Sequence, residues 1–485
     1  MPAAIASCLA SGAKTNPHAS GRRSARVRSY QARWVVPMDR PPLPGGVVAV
    51  AGDTIVSVTP AGETPADVDL GDVILLPGLI NVHTHLDLSQ AAACRPASAS
   101  AAVPLPDWLE QVVAIRRHQT FAQRQEAMQA GLLACWQAGV TTVGDIVTDP
   151  QLWPMLTRSP LRGVAFLEVL GLTLPRAEAA RRAAEAWLTP ALSGASSLAG
   201  TSPLAGFPVS AAAPSSESAE PAPCRWRRGV SPHAPYSVRR ELFAAALDLA
   251  AQGQCPVAIH LAESQEEAEL LHTRRGAFRD LLQRLGVWDP AGLIPSWEAL
   301  LAWASSHRGP VLWIHANYLA PRSLPAHHTV VYCPRTHAAF GHSPYPLPGW
   351  RHAGVRLCLA TDSLASNPDL NLLAEARFVH QRYPDLPAEE VLGMITREAA
   401  AALGSEAQLG TLTPGKAADL IVLPWPPGIP THTDPCRAIL ESAVPVAGVM
   451  IAGRWLSVPN NRRQSPSLPE NDGEQRPAPP ENGEQ

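Results

Sequence analysis

Apolar and polar residues alternate along the chain in two patterns. Short runs of Val, Ile and Leu are separated by longer stretches with the spacing of amphipathic helices. The pattern predicts eight strands, at 74–83, 139–146, 162–171, 226–233, 255–262, 309–315, 328–334 and 354–361. It predicts helices at 120–138, 174–188, 237–252, 265–285, 297–306 and 370–382. Strands that alternate with helices are typical of parallel α/β folds, and eight of them indicate a (β/α)8 barrel of the TIM type. The active site of such a barrel lies at the carboxyl ends of its strands.

Two β-rich segments flank this region. Residues 29–74 contain short β-branched runs between Pro-Pro, Gly-Gly and Gly-Asp turns, and similar runs return within residues 406–457. We predict that the two segments pair into one small side domain, and that the barrel spans residues 75–405. Pro77 and Gly78 fit a bend within the first predicted strand, because Pro fixes φ and Gly accepts conformations that other residues refuse.

Three segments lack the periodicity of a packed domain. Residues 1–28 are rich in Ala, Ser and Arg, and the first acidic residue of the chain is Asp39. An organelle transit peptide has this composition, but we favour a disordered extension. Residues 190–224 carry almost no charge and predict a flexible insertion, whereas residues 458–485 predict a disordered tail.

The composition narrows the class of protein. The 485 residues are 46% hydrophobic and 17% charged, with a formal net charge of -3. This charge argues against nucleic acid or an anionic membrane as the partner. No apolar run reaches the roughly 20 residues of a membrane helix. None of the 8 cysteines forms a C-x-x-C pair, which fits reduced thiols in the cytoplasm. We therefore expect a cytoplasmic protein with a small-molecule substrate, and a homo-oligomer is left open.

Candidate chemistry falls at the predicted strand ends. His83 and His85 lie two residues apart and share one face of the first strand. The fifth strand ends near His260, with Glu263 just beyond it, and later strands end in His315 and Asp362. Each residue alone is more often a structural group. Together, the imidazoles of His83, His85 and His260 and the carboxylate of Asp362 fit a single zinc or iron ion, with one position left for water.

The same set predicts a hydrolytic reaction. A divalent metal lowers the pKa of bound water from 15.7 to roughly 7. We predict that Glu263 takes up the released proton and passes it to the leaving group. His315 would polarise the atom under attack, and Asp362 would orient the nucleophile besides binding metal.

These residues resemble the amidohydrolase superfamily, specifically its aminohydrolase and chlorohydrolase branch. The resemblance covers about residues 30–457 and rests on His83-x-His85, His260-x-x-Glu263, His315 and the segment 361–363. It implies a distorted barrel with a composite β-sandwich and one metal, most often zinc, bound by His83, His85, His260 and Asp362. Relatives with two metals use a lysine on strand four, where this chain has none in residues 230–236.

A finer resemblance concerns the substrate. The Ser-Pro-His-Ala-Pro-Tyr segment that contains His233 is similar to the substrate segment of adenosine-type deaminases. Segments around Trp108 and around Arg335 and His337 resemble a bacterial subgroup that includes aminodeoxyfutalosine deaminases. This implies that His233 contacts a ribose and that Trp108 lies near the substrate. Arg335 with His337 would bind a substrate carboxylate, although a structural salt bridge for Arg335 is an equal alternative.

The sequence therefore predicts a metal-dependent hydrolase that deaminates an adenosine-like nucleoside and releases ammonia, with aminodeoxyfutalosine as one candidate substrate. Two alternatives remain. The first is hydrolysis of another C–N or C–Cl bond of a triazine- or guanine-type ring. The second is a non-catalytic barrel that serves as a binding module.

Overall fold

The computed structural model describes residues 26–96, 103–192, 204, 206–207 and 225–457. Most of the predicted N-terminal extension, most of the segment 190–224 and the whole predicted tail lie outside these residues. Within the segment, Leu204 and Phe207 are described and buried, and the Phe207 ring lies 5.5 Å from the Trp136 ring. The domain boundaries given above stay predictions.

The N-terminal part consists of short strands that form one whole sheet and half of a second. They are β1 (Val27–Gln31), β2 (Trp34–Val35), β3 (Leu43–Pro44), β4 (Val47–Ala51), β5 (Thr54–Thr59), β6 (Val68–Asp69) and β7 (Val73–Pro77). A four-stranded sheet has the order β5-β4-β1-β6. The other three strands join a second sheet that the C-terminal part of the chain completes.

The barrel is an eight-stranded, wholly parallel sheet with its strands in sequence order. The strands are β8 (Leu79–Thr84), β9 (Val140–Val147), β10 (Arg162–Val169), β11 (Trp226–Pro232), β12 (Val257–Leu261), β13 (Val311–His315), β14 (His328–Tyr332) and β15 (Arg356–Leu359). The first and last strands are joined by few bonds. Asn81 and Thr361 bond through their side chains at 2.7 Å, and the Asp362 N–H donates to the His83 carbonyl at 3.2 Å. This junction between β8 and the end of β15, the seam, leaves the barrel nearly closed and distorted, as predicted.

The C-terminal strands β16 (Leu420–Pro424), β17 (Gly448–Ile451) and β18 (Arg454–Ser457) complete the second sheet, in the order β18-β17-β16-β7-β2-β3. Here β16 pairs with β7 over residues 420–424 and 73–77. Side chains from both ends of the chain, including Tyr30, Leu75 and Leu420, share one buried core between the sheets. The composite β-sandwich that the sequence predicts is therefore present.

The predicted strand at 74–83 is two strands that belong to different sheets. The chain leaves the sandwich at Pro77 and enters the barrel at Leu79, with Gly78 between them. A side chain at Gly78 would meet Thr141 atoms at 2.3 Å, so only glycine fits this close approach. The Arg162 Nε lies 2.7 Å from the Asp419 carboxylate in a largely buried ion pair, which links the barrel to the sandwich.

Helices cover the outside of the barrel and its two ends. They are α1 (Leu105–His118), α2 (Phe121–Gln137), α3 (Trp153–Arg158), α4 (Leu174–Leu192), α5 (Arg240–Gln252), α6 (Gln265–Thr273), α7 (Ala277–Arg284), α8 (Trp297–Ala304), α9 (Pro334–Ala339), α10 (Leu347–His352), α11 (Leu372–Arg382), α12 (Ala388–Gly393), α13 (Arg397–Ala402) and α14 (Pro435–Leu440). The single helix predicted at 265–285 is wrong, because α6 and α7 are separate. Arg274 and Gly276 both have positive φ, of 58° and 91°, and this left-handed turn ends α6.

No helix in the described ranges is long and apolar enough to span a bilayer. The six cysteines that the structure describes are buried and free, which agrees with the prediction of reduced thiols.

A buried histidine at the amino end of the barrel gives a testable pH dependence. His328 is 1% exposed, and its Nδ1 accepts from the Trp313 indole at 3.1 Å. Burial lowers its pKa to about 4, with a further contribution from His327. The unfolded chain, with a histidine pKa of about 6.5, then binds one more proton between these values, so the free energy of unfolding falls as the pH falls.

Replacement of His328 with glutamine keeps an acceptor for Trp313 and removes this titration. Between pH 6 and 4.5, the free energy of unfolding falls with falling pH in the parent. We expect the fall to be shallower in the His328 variant, by about 1 kcal/mol per pH unit. Chemical denaturation across this range measures the slopes, and exposed His118, changed to glutamine, is the matched control. Equal slopes for the parent and the His328 variant would contradict the prediction.

Candidate active site

Four side chains from three strand ends meet at one end of the barrel. His83, His85 and His260 each offer a ring nitrogen, and these atoms lie within 4.8 Å of one another. The His85 and His260 Nε2 atoms are 3.4 Å apart. The Asp362 Oδ1 lies 3.5 Å from the His83 Nε2 and 3.8 Å from the His85 Nε2. The structure thus brings together all four predicted metal ligands.

Local backbone structure sets these positions. His83 and His85 share a face because β8 alternates its side chains. Asp362 follows β15 with a φ of 60°, which turns its carboxylate back toward the seam. The Ser366 hydroxyl donates to its Oδ2 at 2.7 Å. The His260 Nδ1 lies 3.2 Å from the His233 carbonyl, so the Nε2 is left to face the cluster.

The cluster fits a divalent cation. Both ring nitrogens of His83 and the Nδ1 of His85 are buried without a hydrogen-bond partner among the described residues. Buried polar atoms are rarely unpaired, and a cation would pair with one ring nitrogen of each histidine. Two nitrogens about 2.0–2.1 Å from one tetrahedral ion would be roughly 3.3 Å apart, close to the separation of His85 and His260.

The charge states of the ligands suit this role. Burial lowers the pKa of His260 and of His85 well below the usual range, so both rings are neutral and can bind a cation. Burial alone would raise the pKa of Asp362. The proximity of the His83 ring, with those of His315 and His85, outweighs burial and holds that pKa below its usual value. Asp362 is therefore an anion beside the neutral rings of His85 and His260.

Glu263 and His315 face each other beside the cluster. Their Oε1 and Nε2 atoms lie 3.3 Å apart, and the two residues are 6% and 2% exposed. Burial raises the pKa of Glu263 well above its usual value, and the carboxylates of Asp362 and Glu267 raise it further. Burial lowers the pKa of His315 to about 3, so this imidazole is neutral. The pair consists of a carboxyl group that can hold a proton and a neutral hydrogen-bonding ring.

A cavity of about 400 Å³ opens onto this cluster. His85, His260, Glu263, His315 and Asp362 line its polar end. Its remaining wall is mostly aliphatic, with Leu and Val side chains from α1, α7 and the loops after β10 and α7. The dimensions and the mixed lining are those of a small-molecule site.

Two of the four predicted substrate contacts line this cavity. The Trp108 indole donates to the Ala365 carbonyl at 3.2 Å, which fixes the ring at the wall. The His233 ring lies 4.8 Å from the His260 ring, and its Nδ1 is 2.7 Å from the Ser237 hydroxyl. Both residues are placed to contact a molecule bound beside the cluster.

The other two predicted contacts, Arg335 and His337, do not line the cavity that the described residues form. The Arg335 Nε donates to Glu375 at 2.7 Å, and its terminal nitrogens bond Asp369. Glu375 is fully buried. The His337 ring packs edge-on against the stacked rings of Tyr332 and Tyr345. For Arg335, the geometry is that of the structural salt bridge, because its guanidinium group already binds two carboxylates.

Replacement of Arg335 with methionine tests this assignment. It would leave Glu375 as a buried charge, and we expect a loss of about 3–5 kcal/mol in the free energy of unfolding. The paired Arg335→Met/Glu375→Leu variant should recover part of that loss. The KM of Arg335→Met should stay within about twofold of the parent value. A large rise in KM with unchanged stability would instead support a substrate contact.

A network of charged residues near the cavity was missed by the sequence analysis. The Arg116 guanidinium bridges Glu168 at 3.2 Å and Asp87 at 3.4 Å, and both Arg116 and Glu168 line the cavity. The Glu168 Oε1 lies 3.8 Å from the His233 Nε2. Glu168 had a usable signal, because it is a lone charge near the end of an apolar strand, in the position that identified His260 and Asp362.

Comparisons with known proteins agree with the fold and the cluster. The model of the amidohydrolase family matches residues 74–456. A 5-methylthioadenosine/S-adenosylhomocysteine deaminase from Moorella thermoacetica is 27% identical over 414 residues, which are 80% of this chain and 83% of that protein. An aminodeoxyfutalosine deaminase from Deinococcus radiodurans is 28% identical over 374 residues, which are 71% and 77% of the two chains.

Two solved structures share the architecture. Helicobacter pylori aminofutalosine deaminase in complex with methylthio-coformycin has a TM-score of 0.70 and 23% identity, and the match covers 88% of this chain and 99% of that one. An atrazine chlorohydrolase from Arthrobacter aurescens, determined with zinc, has a TM-score of 0.64 and 19% identity, with 88% and 94% covered. These likenesses confirm the barrel fold.

The resemblance seen in the sequence is thereby confirmed. A family model that spans most of the chain agrees with a histidine cluster at the mouth of a distorted barrel. The protein belongs to the amidohydrolase family and is a hydrolase that acts on carbon–nitrogen bonds.

Proposed function

We propose that this protein deaminates an adenosine-like nucleoside and releases ammonia, with one zinc ion held by His83, His85, His260 and Asp362. Iron is the alternative ion. The observation that carries the proposal is that these four residues meet beside the facing pair of Glu263 and His315, at the end of one cavity. A cytoplasmic location is part of the proposal.

The chain's own residues supply the proton transfers. When bound, the cation would lower the pKa of a water molecule so that it can attack at neutral pH. Glu263 takes a proton from the attacking water and gives it to the departing amine, for which its raised pKa is suited. His315 is neutral and can hydrogen-bond a polar group attached to the reacting carbon. Water adds, ammonia leaves, and the ring carbon gains an oxygen in place of its amine.

The cavity supports a nucleoside with an extended substituent. Trp108 and His233 line the part next to the cluster, and an aliphatic wall continues away from it. Arg117 and Arg176 also line the cavity, and neither has an ion-pair partner among the described residues. These features favour an apolar substituent that ends in a carboxylate. The names of the relatives given above point to 5-methylthioadenosine, S-adenosylhomocysteine and aminodeoxyfutalosine as their substrates. These compounds are therefore the first substrates to try.

Ammonia release from a panel of compounds tests the proposal. The panel contains adenosine, 5-methylthioadenosine, S-adenosylhomocysteine, aminodeoxyfutalosine and guanine, together with a chlorinated and an aminated triazine. We expect ammonia from at least one nucleoside, in amounts that follow the zinc content. Chloride or amine release from a triazine without nucleoside turnover would replace the proposal by the first alternative. If the metal-loaded protein turned over none of these compounds, the result would favour the second alternative, a non-catalytic barrel that serves as a binding module.

A further inference from the structure

A second buried carboxylate lies directly behind the proposed proton carrier. Glu267 is 0% exposed and belongs to α6. Its Oε1 accepts from the Ala262 N–H at 3.0 Å, and its Oε2 accepts from the Glu263 N–H at 3.1 Å. The Trp297 indole also donates to the Oε1, at 2.7 Å. One side chain therefore receives two consecutive amides of the turn that carries Glu263.

This turn has an unusual backbone that needs such support. Ala262 has a φ of 52°, in the left-handed region that residues with a Cβ rarely adopt. On the opposite side of the turn, the Ala262 carbonyl accepts from the Tyr318 N–H at 3.0 Å. The Glu263 carbonyl accepts from the Asn317 side chain at 2.9 Å. The peptide groups on both sides of Glu263 are thus held from two directions.

The contacts of Glu267 are not those of an ordinary helix cap. The cap of α6 is the Ser264 hydroxyl, which accepts from the Glu267 N–H at 3.3 Å. In a capping box, a glutamate in this third helical position would bond the amide of the cap residue itself. Here the carboxylate reaches past Ser264 to the two amides that precede it.

We propose that Glu267 is a positioning residue that fixes the main chain of Glu263 and thereby aims its carboxyl group at His315. The inference rests on the proposed role of Glu263 in proton transfer. A carboxylate is required, because two acceptor oxygens face three donors. An amide in the same place would present one acceptor and set its own donors against an N–H group.

The test compares Glu267→Gln with Glu269→Gln, which removes the same charge from an exposed position of the same helix. For each variant, the kcat per metal-loaded chain, the KM and the metal content are measured. Hydrogen–deuterium exchange is measured at the amides of residues 262 and 263. For Glu267→Gln, we expect kcat to fall by about 10–100-fold, because small misplacements of a reacting group are costly. The KM should stay within about threefold, the metal content should be unchanged and the two amides should exchange faster.

The outcomes separate this inference from the proposed function. If kcat per metal-loaded chain and amide exchange match those of Glu269→Gln, the positioning role is overturned. If Glu267→Gln does not fold, Trp297→Phe removes one donor to the same carboxylate and should change both readouts in the same direction. No change in either readout would then overturn the role. If the parent protein releases no ammonia, the proposed function fails, and the amide exchange alone decides whether Glu267 holds the turn.

Discussion

Replacement of Glu263 with glutamine is expected to lower kcat by about 10²–10⁴-fold and to leave the metal in place. Glutamine has the same shape but cannot carry a proton between the attacking water and the departing amine. Glu263 stands next to the histidine cluster rather than within it, with its Oε1 3.3 Å from the His315 Nε2. The substitution should therefore separate proton transfer from metal binding.

The measurement combines ammonia release with metal analysis of the same samples. Glu269→Gln serves as the control, since that residue is exposed on α6. Loss of metal from the Glu263 variant would make Glu263 a ligand. A kcat within about threefold of the parent, with metal retained, would remove Glu263 from the proton transfer, because general acid–base catalysis contributes far more than this.

Replacement of His83 with alanine is expected to abolish stoichiometric metal binding, and activity with it. His83 is fully buried, and its Nε2 has no hydrogen-bond partner among the described residues and lies 3.5 Å from Asp362. Ser366→Ala is the graded comparison, because Ser366 donates a hydrogen bond to Asp362 but is not one of the four proposed ligands. Loss of such a supporting bond typically weakens metal affinity about 10–100-fold.

Thermal unfolding gives an independent measure of the same site. A ligand present at a thousand times its Kd stabilises the folded state by about 4 kcal/mol. A chelator should therefore lower the melting temperature of the parent and of Ser366→Ala, and it should have no effect on His83→Ala. One metal ion per chain in His83→Ala, with chelator sensitivity retained, would exclude His83 from the site.

The candidate site was predictable from sequence to the extent that position along a strand fixes position in space. In a parallel barrel, all strands end on one face, so His83, His260 and Asp362 could be assigned to one site although they are far apart in the chain. The bend at residues 77–78 was also predictable from the residues themselves, because Pro77 fixes φ and Gly78 accepts conformations that other residues refuse.

Features that depend on distant partners were not predictable in this way. Arg335 was a candidate for a substrate carboxylate, but its carboxylates are those of Asp369 and Glu375, which lie 34 and 40 residues further along the chain. The break between α6 and α7 includes Arg274 in a left-handed conformation, which its residue type does not favour. Glu267 resembles a helix-start glutamate in sequence, and only the structure shows that it supports Glu263.

The proposed function requires that His83, His85, His260 and Asp362 together bind one divalent ion. X-ray absorption spectroscopy of the zinc-loaded protein measures this most directly. We expect one zinc per chain, surrounded by about three imidazole nitrogens and at least one oxygen at about 2.0–2.1 Å. A zinc–sulfur shell, or a spectrum without imidazole scattering that does not change in His83→Ala, would contradict it.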